Sequence, residues 1–262
     1  MTMRLADKSV VVTGAGSGIG RAIAMACASE GASVTVADLI STAAQETTAH
    51  IRAAGGRAES IQVDVCDRIL VKAMTEQAVR DFGSVDVIFN NAGFNKPMHL
   101  LDVTHENWQA IMDVNAWGVL LCTQEAARQM ITQGSGGKIV NTSSIAGRQG
   151  YPSFAPYCAS KFAVVAITQA SARGLAEHGI TVNAFAPGVV ATPLWETLDR
   201  DLMAIGDAQR PGQAMDDFAA DILRGRPATT DDLMGTALFL ACSDSDYMTG
   251  QVIMIDGGMV LV

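Results

Sequence analysis

Short, almost uninterrupted apolar runs alternate with longer helical patterns along the whole chain, and this rhythm restricts the fold more than any other feature. The runs are Ser9–Thr13, Ser33–Ala37, Ala58–Val63, Val85–Phe89, Lys138–Thr142, Thr181–Phe185 and Val252–Ile255. Strands that are apolar without alternation are buried on both faces, as in parallel sheets covered by helices. Between them lie helical segments at Ile19–Glu30, Thr42–Ala54, Arg68–Phe82, His105–Gln133, Ala155–Glu177 and Asp231–Cys242. Such alternation over 262 residues predicts right-handed crossovers and a single α/β domain, a doubly wound seven-stranded parallel sheet with helices on both faces. No linker, repeat or low-complexity tract divides residues 1–262.

One segment breaks the rhythm. After Pro187-Gly188, residues 192–227 carry helical pieces but no strand. A long irregular stretch inside a compact α/β domain is commonly a lid over a site, and otherwise a helical insertion that only packs against the body. Its seven acids and four arginines read most simply as a solvated face.

Composition removes several function classes. The net charge of −9, with no Lys/Arg cluster, argues against nucleic acid. Hydrophobic residues make up 49%, yet no run approaches the ~18 needed to span a membrane, and the N-terminal MTMRLADKSVVVTG has no signal-peptide pattern. A cytoplasmic protein is expected. The five cysteines are scattered without a CxxC, which suits reduced thiols, and the four histidines form no metal-ligand spacing.

The first strand ends in Thr13-Gly14-Ala15-Gly16-Ser17-Gly18-Ile19-Gly20, followed at once by a helix. Glycines there permit a sharp turn and close approach of a phosphate, while the helix N-terminus offers unpaired N–H groups and partial positive charge. Strand, glycine turn and helix at the start of a βαβ unit make a Rossmann-type dinucleotide site. Asp38 closes the second strand, 18 residues beyond Gly20, where a carboxylate binds ribose hydroxyls and repels a 2′-phosphate. Ser17 brings no cation, so the expected cofactor is NAD rather than NADP. The alternative for Asp38 is an acid favoured by a helix dipole.

Oxidation of an alcohol needs a base for the hydroxyl proton. Tyr157 and Lys161 stand at i and i+4 on a predicted helix, hence on one face, and an ammonium near a phenol favours phenolate. Ser144 ends the strand Lys138–Thr142, at the edge where open α/β sheets place ligands. Asn90-Asn91-Ala92-Gly93 follows the fourth strand, and Asn115 lies in the long helix.

With these blocks the chain resembles the short-chain dehydrogenase/reductase family over essentially its full length: TGAGSGIG at 13–20, Asp64 in VDV, NNAG at 90–93, Asn115, NTSS at 141–144, YCASK at 157–161, and PG with Thr192. The resemblance implies that Tyr157 is the acid/base, that Lys161 lowers its pKa and binds the nicotinamide ribose, and that Ser144 orients the substrate. It implies that Asn115 holds a water in a relay with Lys161. Gly14, Ser17 and Ile19 would line the pyrophosphate, Asp64 and Val65 the adenine, and Asn91 the adenosine side, with Gly18, Gly20, Ala92 and Gly93 also among the cofactor-binding residues. Val190 and Thr192, after Pro187 and Gly188, would meet the carboxamide.

The second half, KFAVVAITQASARGLAEHGITVNAFAPGVVATPLWETLDRDL and SDSDYMTGQVIMIDGGMVLV, is similar to the butanediol and sugar-alcohol dehydrogenase branches, which act on small diols or polyols with NAD. A 3-oxoacyl-carrier-protein reductase, or a reductase of bulkier ketones, is the alternative. The former calls for a basic docking patch and a cation in the glycine turn, and neither is evident. Phe94, Gln149 and Phe154 flank the motif blocks and could wall a substrate pocket or simply pack loops. Trp195 could cap that pocket or anchor a lid helix, and Cys158 reads as a packing thiol rather than a redox switch. The resemblance also implies a homotetramer built on helices 105–133 and 155–177, with Met259–Val262 at a second interface.

Overall fold

The computed structural model describes residues 3–261. Seven strands, β1 (Ser9–Thr13), β2 (Ser33–Asp38), β3 (Arg57–Gln62), β4 (Val87–Asn90), β5 (Gly137–Thr142), β6 (Ile180–Pro187) and β7 (Val252–Ile255), form one sheet in the order β3-β2-β1-β4-β5-β6-β7. Every neighbouring pair is parallel. The doubly wound seven-stranded sheet expected from the apolar runs is therefore the observed architecture.

Nine α-helices carry the chain between and beyond the strands: α1 (Gly18–Ser29), α2 (Ser41–Ala53), α3 (Arg68–Phe82), α4 (His105–Met112), α5 (Gly118–Gln133), α6 (Ala155–Leu175), α7 (Pro193–Ala204), α8 (Gln213–Ala219) and α9 (Asp231–Ala241), counted among the described residues. Successive strand side chains serve opposite faces. Val10 and Val12 pack with Ile23, Ile51 and Leu240 from α1, α2 and α9, while Val11 between them packs with Met74, Leu121 and Met130 from α3 and α5. Burial on both faces is why the strands read as continuous apolar runs.

Two expectations are corrected. The helix expected over His105–Gln133 is interrupted by a π-helical turn at Asp113–Trp117, where the Gly118 N–H reaches back to the Asp113 carbonyl. Such bulges gather at functional sites, and this one carries Asn115. Strand bounds also move: the third begins and ends one residue earlier than expected, its ladder with β2 running from Ser33↔Arg57 to Asp38↔Gln62, and the fourth begins two residues later, at Val87.

No described helix is long and apolar enough to cross a membrane. Among the described residues no group of three His, Cys, Asp or Glu is placed to hold a metal ion. Met1 and Thr2 of the N-terminal reading, and Val262 of the expected C-terminal interface, lie outside the described residues.

Candidate active site

The strand order reverses between β1 and β4, and at the C-terminal ends of the strands there opens a cavity of about 680 Å³. A crevice at this switch point is where open α/β sheets take their ligands. One wall is the glycine turn. Gly14 sits at φ +63°, and a Cβ on it would meet Ala92 Cα at 2.8 Å; a Cβ on Gly16 would stand 2.7 Å from that of Ala43. Only glycine lets the turn lie this close to the loop after β4 and to α2.

The start of α1 faces the cavity through Ser17, Gly18, Ile19 and Gly20. Side chains close the starts of α3 and α4: Asp67 accepts from Ile69 and Leu70 N–H, and Thr104 from Asn107 N–H. Ser17 makes no such bond, and the first turn of α1 holds no acid. Its N–H groups and the helix dipole are left for an anionic ligand, as a pyrophosphate requires. Beside this turn, Asp38 Oδ2 accepts from Gly16 N–H at 2.8 Å and Oδ1 from Ile40 N–H at 2.9 Å. Each oxygen keeps a lone pair, and the residue lines the cavity with Asp64 and Val65.

A polar network binds the strand ends. Thr13 Oγ1 accepts from the N–H groups of Asn91 and Ala92 at 3.0 and 3.2 Å. Asn91 Nδ2 donates to the carbonyls of Thr13 and Gly14, and its Oδ1 accepts from Thr142 Oγ1 at 3.4 Å. Asn91 lines the cavity as expected, but its carboxamide is occupied in bracing the glycine turn.

Ser144, Tyr157 and Lys161 meet on the opposite wall. Ser144 follows β5 and caps a short 3₁₀ turn, its Oγ accepting from Ala146 N–H at 3.1 Å. Tyr157 and Lys161 project from the first turns of α6, with Lys161 Nζ 5.6 Å from the tyrosine ring centroid. The lysine is buried and pinned from both ends: Nζ donates to Thr142 O at 2.9 Å, and its own carbonyl accepts from Ser143 Oγ at 3.2 Å. Burial lowers the Lys161 ammonium to about 8. Burial likewise pushes the Tyr157 phenol up to about 12, with the Ser144 hydroxyl beside it pulling the other way. Desolvation of the phenolate is the larger of these two influences.

Asn115, wholly buried in the π turn, accepts from Phe94 N–H at 3.0 Å and donates to Phe94 O at 2.9 Å and Ser160 Oγ at 3.1 Å. Its side chain is committed to positioning the loop after Gly93.

At the far end, Pro187 and Gly188 lead to Val190, which forms an isolated parallel bridge with Ala228. Ala191 N–H donates to Ala228 O and Ala228 N–H to Val189 O, leaving the peptide groups of Val190 itself outside that ladder. Thr192 precedes α7 without capping it. Both residues line the cavity with groups able to pair with an amide.

Residues 192–227 contain α7 and α8, which line the cavity through Trp195, Leu198 and Phe218 and pack on a third apolar cluster of Leu198, Leu202, Ala208, Ala214, Phe154 and Cys158. Trp195 both lines the cavity and packs edge-on against Phe218, their centroids 5.7 Å apart. Phe94 and Phe154 line it too, whereas Gln149 is exposed and stands outside the lining. Lining residues that sequence reasoning missed include Asn95, Tyr151 and Phe218. Tyr151 lies between Ser144 and Tyr157, and its aromatic ring there was the available signal. Phe218 stacks on Phe154 at 5.8 Å.

The acids of this segment are not all solvated: Asp199 is buried and accepts from Gly212 N–H at 2.7 Å and Ala214 N–H at 3.2 Å, capping the approach to α8. Cys158 is a buried thiol whose pKa burial raises, in keeping with packing.

The short chain dehydrogenase family model matches residues 8–202. L-2,3-butanediol dehydrogenase of Corynebacterium glutamicum is 40% identical over 256 residues, covering 97% of this chain and 99% of that protein. Galactitol 2-dehydrogenase of Agrobacterium fabrum is 38% identical over 256 residues, covering 98% of each. The crystal structure of a short-chain type dehydrogenase/reductase from Mycobacterium marinum matches with a TM-score of 0.90 and 38% identity, covering 100% of this chain and 98% of that one. With its glycine turn, its Ser144–Tyr157–Lys161 wall and these likenesses together, the chain belongs to the short-chain dehydrogenase/reductase family of oxidoreductases.

Proposed function

We propose that the protein interconverts a secondary alcohol of a small diol or polyol with its ketone, using NAD. The observation that carries this reading is the convergence of Ser144, Tyr157 and Lys161 on one wall of a cavity whose other wall is the uncapped start of α1. Gly14, Ser17, Gly18, Ile19 and Gly20 hold the pyrophosphate, Asp38 the ribose, Asp64 and Val65 the adenine, and Val190 and Thr192 the carboxamide. The oxidised dinucleotide supplies a hydride acceptor and a positive ring charge that favours phenolate.

Tyr157 Oη exchanges the proton of the substrate oxygen, and Ser144 Oγ donates a hydrogen bond to that oxygen. Lys161, held by Thr142 O, stabilises the phenolate as the proton leaves. Residues 192–227 act as the lid, with Trp195, Phe218 and Phe154 excluding water. Asp38 disfavours a 2′-phosphate, and Arg21, which donates to Gly16 O of the turn, is paired with Glu46 at 3.0 Å. Likeness to a butanediol and a galactitol dehydrogenase supports the substrate class.

The same reading includes a cytoplasmic homotetramer, with the α4–α5 and α6 faces at one interface and Met259–Val262 at the other. Trp108, Trp117 and Phe162 on those helices leave apolar surface exposed, which supports such pairing.

Initial rates with NAD and NADP against butanediols, hexitols, pentitols and a 3-hydroxyacyl thioester test the reading. An NAD-linked rate on a diol or polyol, abolished about 100-fold or more in Tyr157→Phe, is expected. An NADP-linked rate on the thioester alone overturns it.

A further inference from the structure

Two cavity residues, Asn95 and Tyr151, carry a buried side-chain oxygen with no hydrogen-bond partner, and Asn95 is the more deeply buried of the two. It is 7% exposed, lines the cavity, and its Oδ1 is sealed from solvent with no hydrogen-bond partner. Its Nδ2 makes no hydrogen bond within the protein either. Every other asparagine makes at least one side-chain hydrogen bond, although Asn90 and Asn107 do so through Nδ2 alone, their Oδ1 atoms being without partners: Asn90 to Thr123 and Asn141, and Asn107 to Lys96 O. A buried carboxamide without partners costs about 1–3 kcal/mol, so a folded protein holds one chiefly where a ligand completes it.

Its place in the cavity is fixed by its neighbours. A Cβ on Gly93 would lie 3.0 Å from Asn115 Oδ1 and 3.6 Å from Lys161 Nζ. Asn95 follows two residues later, and two residues of extended chain reach at most about 7 Å. The intervening Phe94 is gripped at both its N–H and its carbonyl by Asn115. Asn95 is thereby held at the reacting end of the cavity and away from the adenosine end.

We propose that Asn95 determines specificity by hydrogen-bonding a second oxygen of the substrate, a hydroxyl or carbonyl one or two carbons from the reacting carbon. This rests on the alcohol-oxidation reading above and narrows its substrates to vicinal or near-vicinal diols, polyols and hydroxyketones. A carboxamide both donates and accepts, so it serves the alcohol and the ketone form alike. A simple secondary alcohol leaves Asn95 as it stands in the free protein and gains nothing there, so it is disfavoured relative to the diol.

The test compares butane-2,3-diol with butan-2-ol, which lacks only the second hydroxyl, in the wild type, Asn95→Leu and Asn95→Ser. The wild type is expected to favour the diol. Asn95→Leu should lower kcat/KM for the diol by about tenfold or more while leaving butan-2-ol within about twofold, and Asn95→Ser should fall between. Should the leucine variant fail to fold, the serine variant carries the comparison. Equal losses on both alcohols, or an unchanged ratio, overturn the proposal. If the wild type oxidises neither alcohol, the reaction reading fails, and binding followed by tryptophan fluorescence decides about Asn95. Diol affinity weakened selectively by the substitution then supports its role, and equal affinity for both alcohols overturns it.

Discussion

Asn115 grips Phe94 by both of its peptide groups, accepting from the N–H at 3.0 Å and donating to the carbonyl at 2.9 Å. The π turn at Asp113–Trp117 and the loop after β4 are thus a single mechanical unit. Asn115→Ala removes three buried hydrogen bonds and leaves their partners unpaired, which should cost about 3 kcal/mol and lower Tm by roughly 6–12 °C. Differential scanning calorimetry checks the stability, and a fall in kcat larger than any change in NADH affinity would locate the damage at the reacting end.

Lys161 gives a pH-dependent signature. Its folded pKa is lowered from 10.5 to about 8, so between those values the unfolded chain binds more protons and the contribution of this group to stability rises with pH. Lys161→Met lacks that contribution. Urea denaturation at pH 7.5 and pH 10 should show the wild type gaining on the variant by up to about 3 kcal/mol across that interval. Total stability falls above pH 9 in both proteins, because burial holds Cys27 and Cys122 up to about 12 and they ionise only on unfolding. A constant difference between wild type and variant would refute the lysine argument.

Asp38 braces the glycine turn, accepting from Gly16 N–H at 2.8 Å, and in the proposed reading its carboxylate also meets the ribose. Asp38→Asn keeps a hydrogen-bonding side chain and removes the charge that repels a 2′-phosphate. The expected result is a fall of about tenfold or more in the kcat/KM preference for NAD over NADP, read from paired initial rates. No change in that ratio would assign the carboxylate to the turn alone.

How far the sequence foretells this molecule depends on which side chains face a repeating environment. The strands were legible because Val10, Val11 and Val12 are all buried, two against one helical layer and one against the other. The glycine turn and the Ser144–Tyr157–Lys161 spacing were legible because backbone conformation and proton chemistry restrict which residues fit. The π turn was not, since an extra residue in a helix leaves the apolar pattern on either side intact. Gln149 and Asn95 show the same limit in loops: adjacency to a motif does not decide which way a side chain faces, and only the folded chain brings Asn95 inward while leaving Gln149 in solvent.

Asp199 is the internal post of the segment over the cavity, taking N–H groups from Gly212 and Ala214. Asp199→Ala should unseat α8 and with it Phe218, costing about 1–2 kcal/mol locally. The alcohol KM should rise several-fold while the Kd for NADH stays within about twofold. A matched loss in both would place the segment's role in the whole fold instead.

The apolar cluster under α7 and α8 is separate from the two clusters that flank the sheet. Lys161 takes its position from the end of β5, through Thr142 O and Ser143 Oγ, whereas Tyr157, one helical turn earlier, packs against the third cluster. The two residues of one wall therefore answer to different parts of the molecule. Replacements at Trp195, Phe218 or Leu198 can reshape the cavity and reach the Tyr157 ring while Lys161 stays anchored to the sheet, so descendants of one ancestor can diverge in diet around one fixed ammonium.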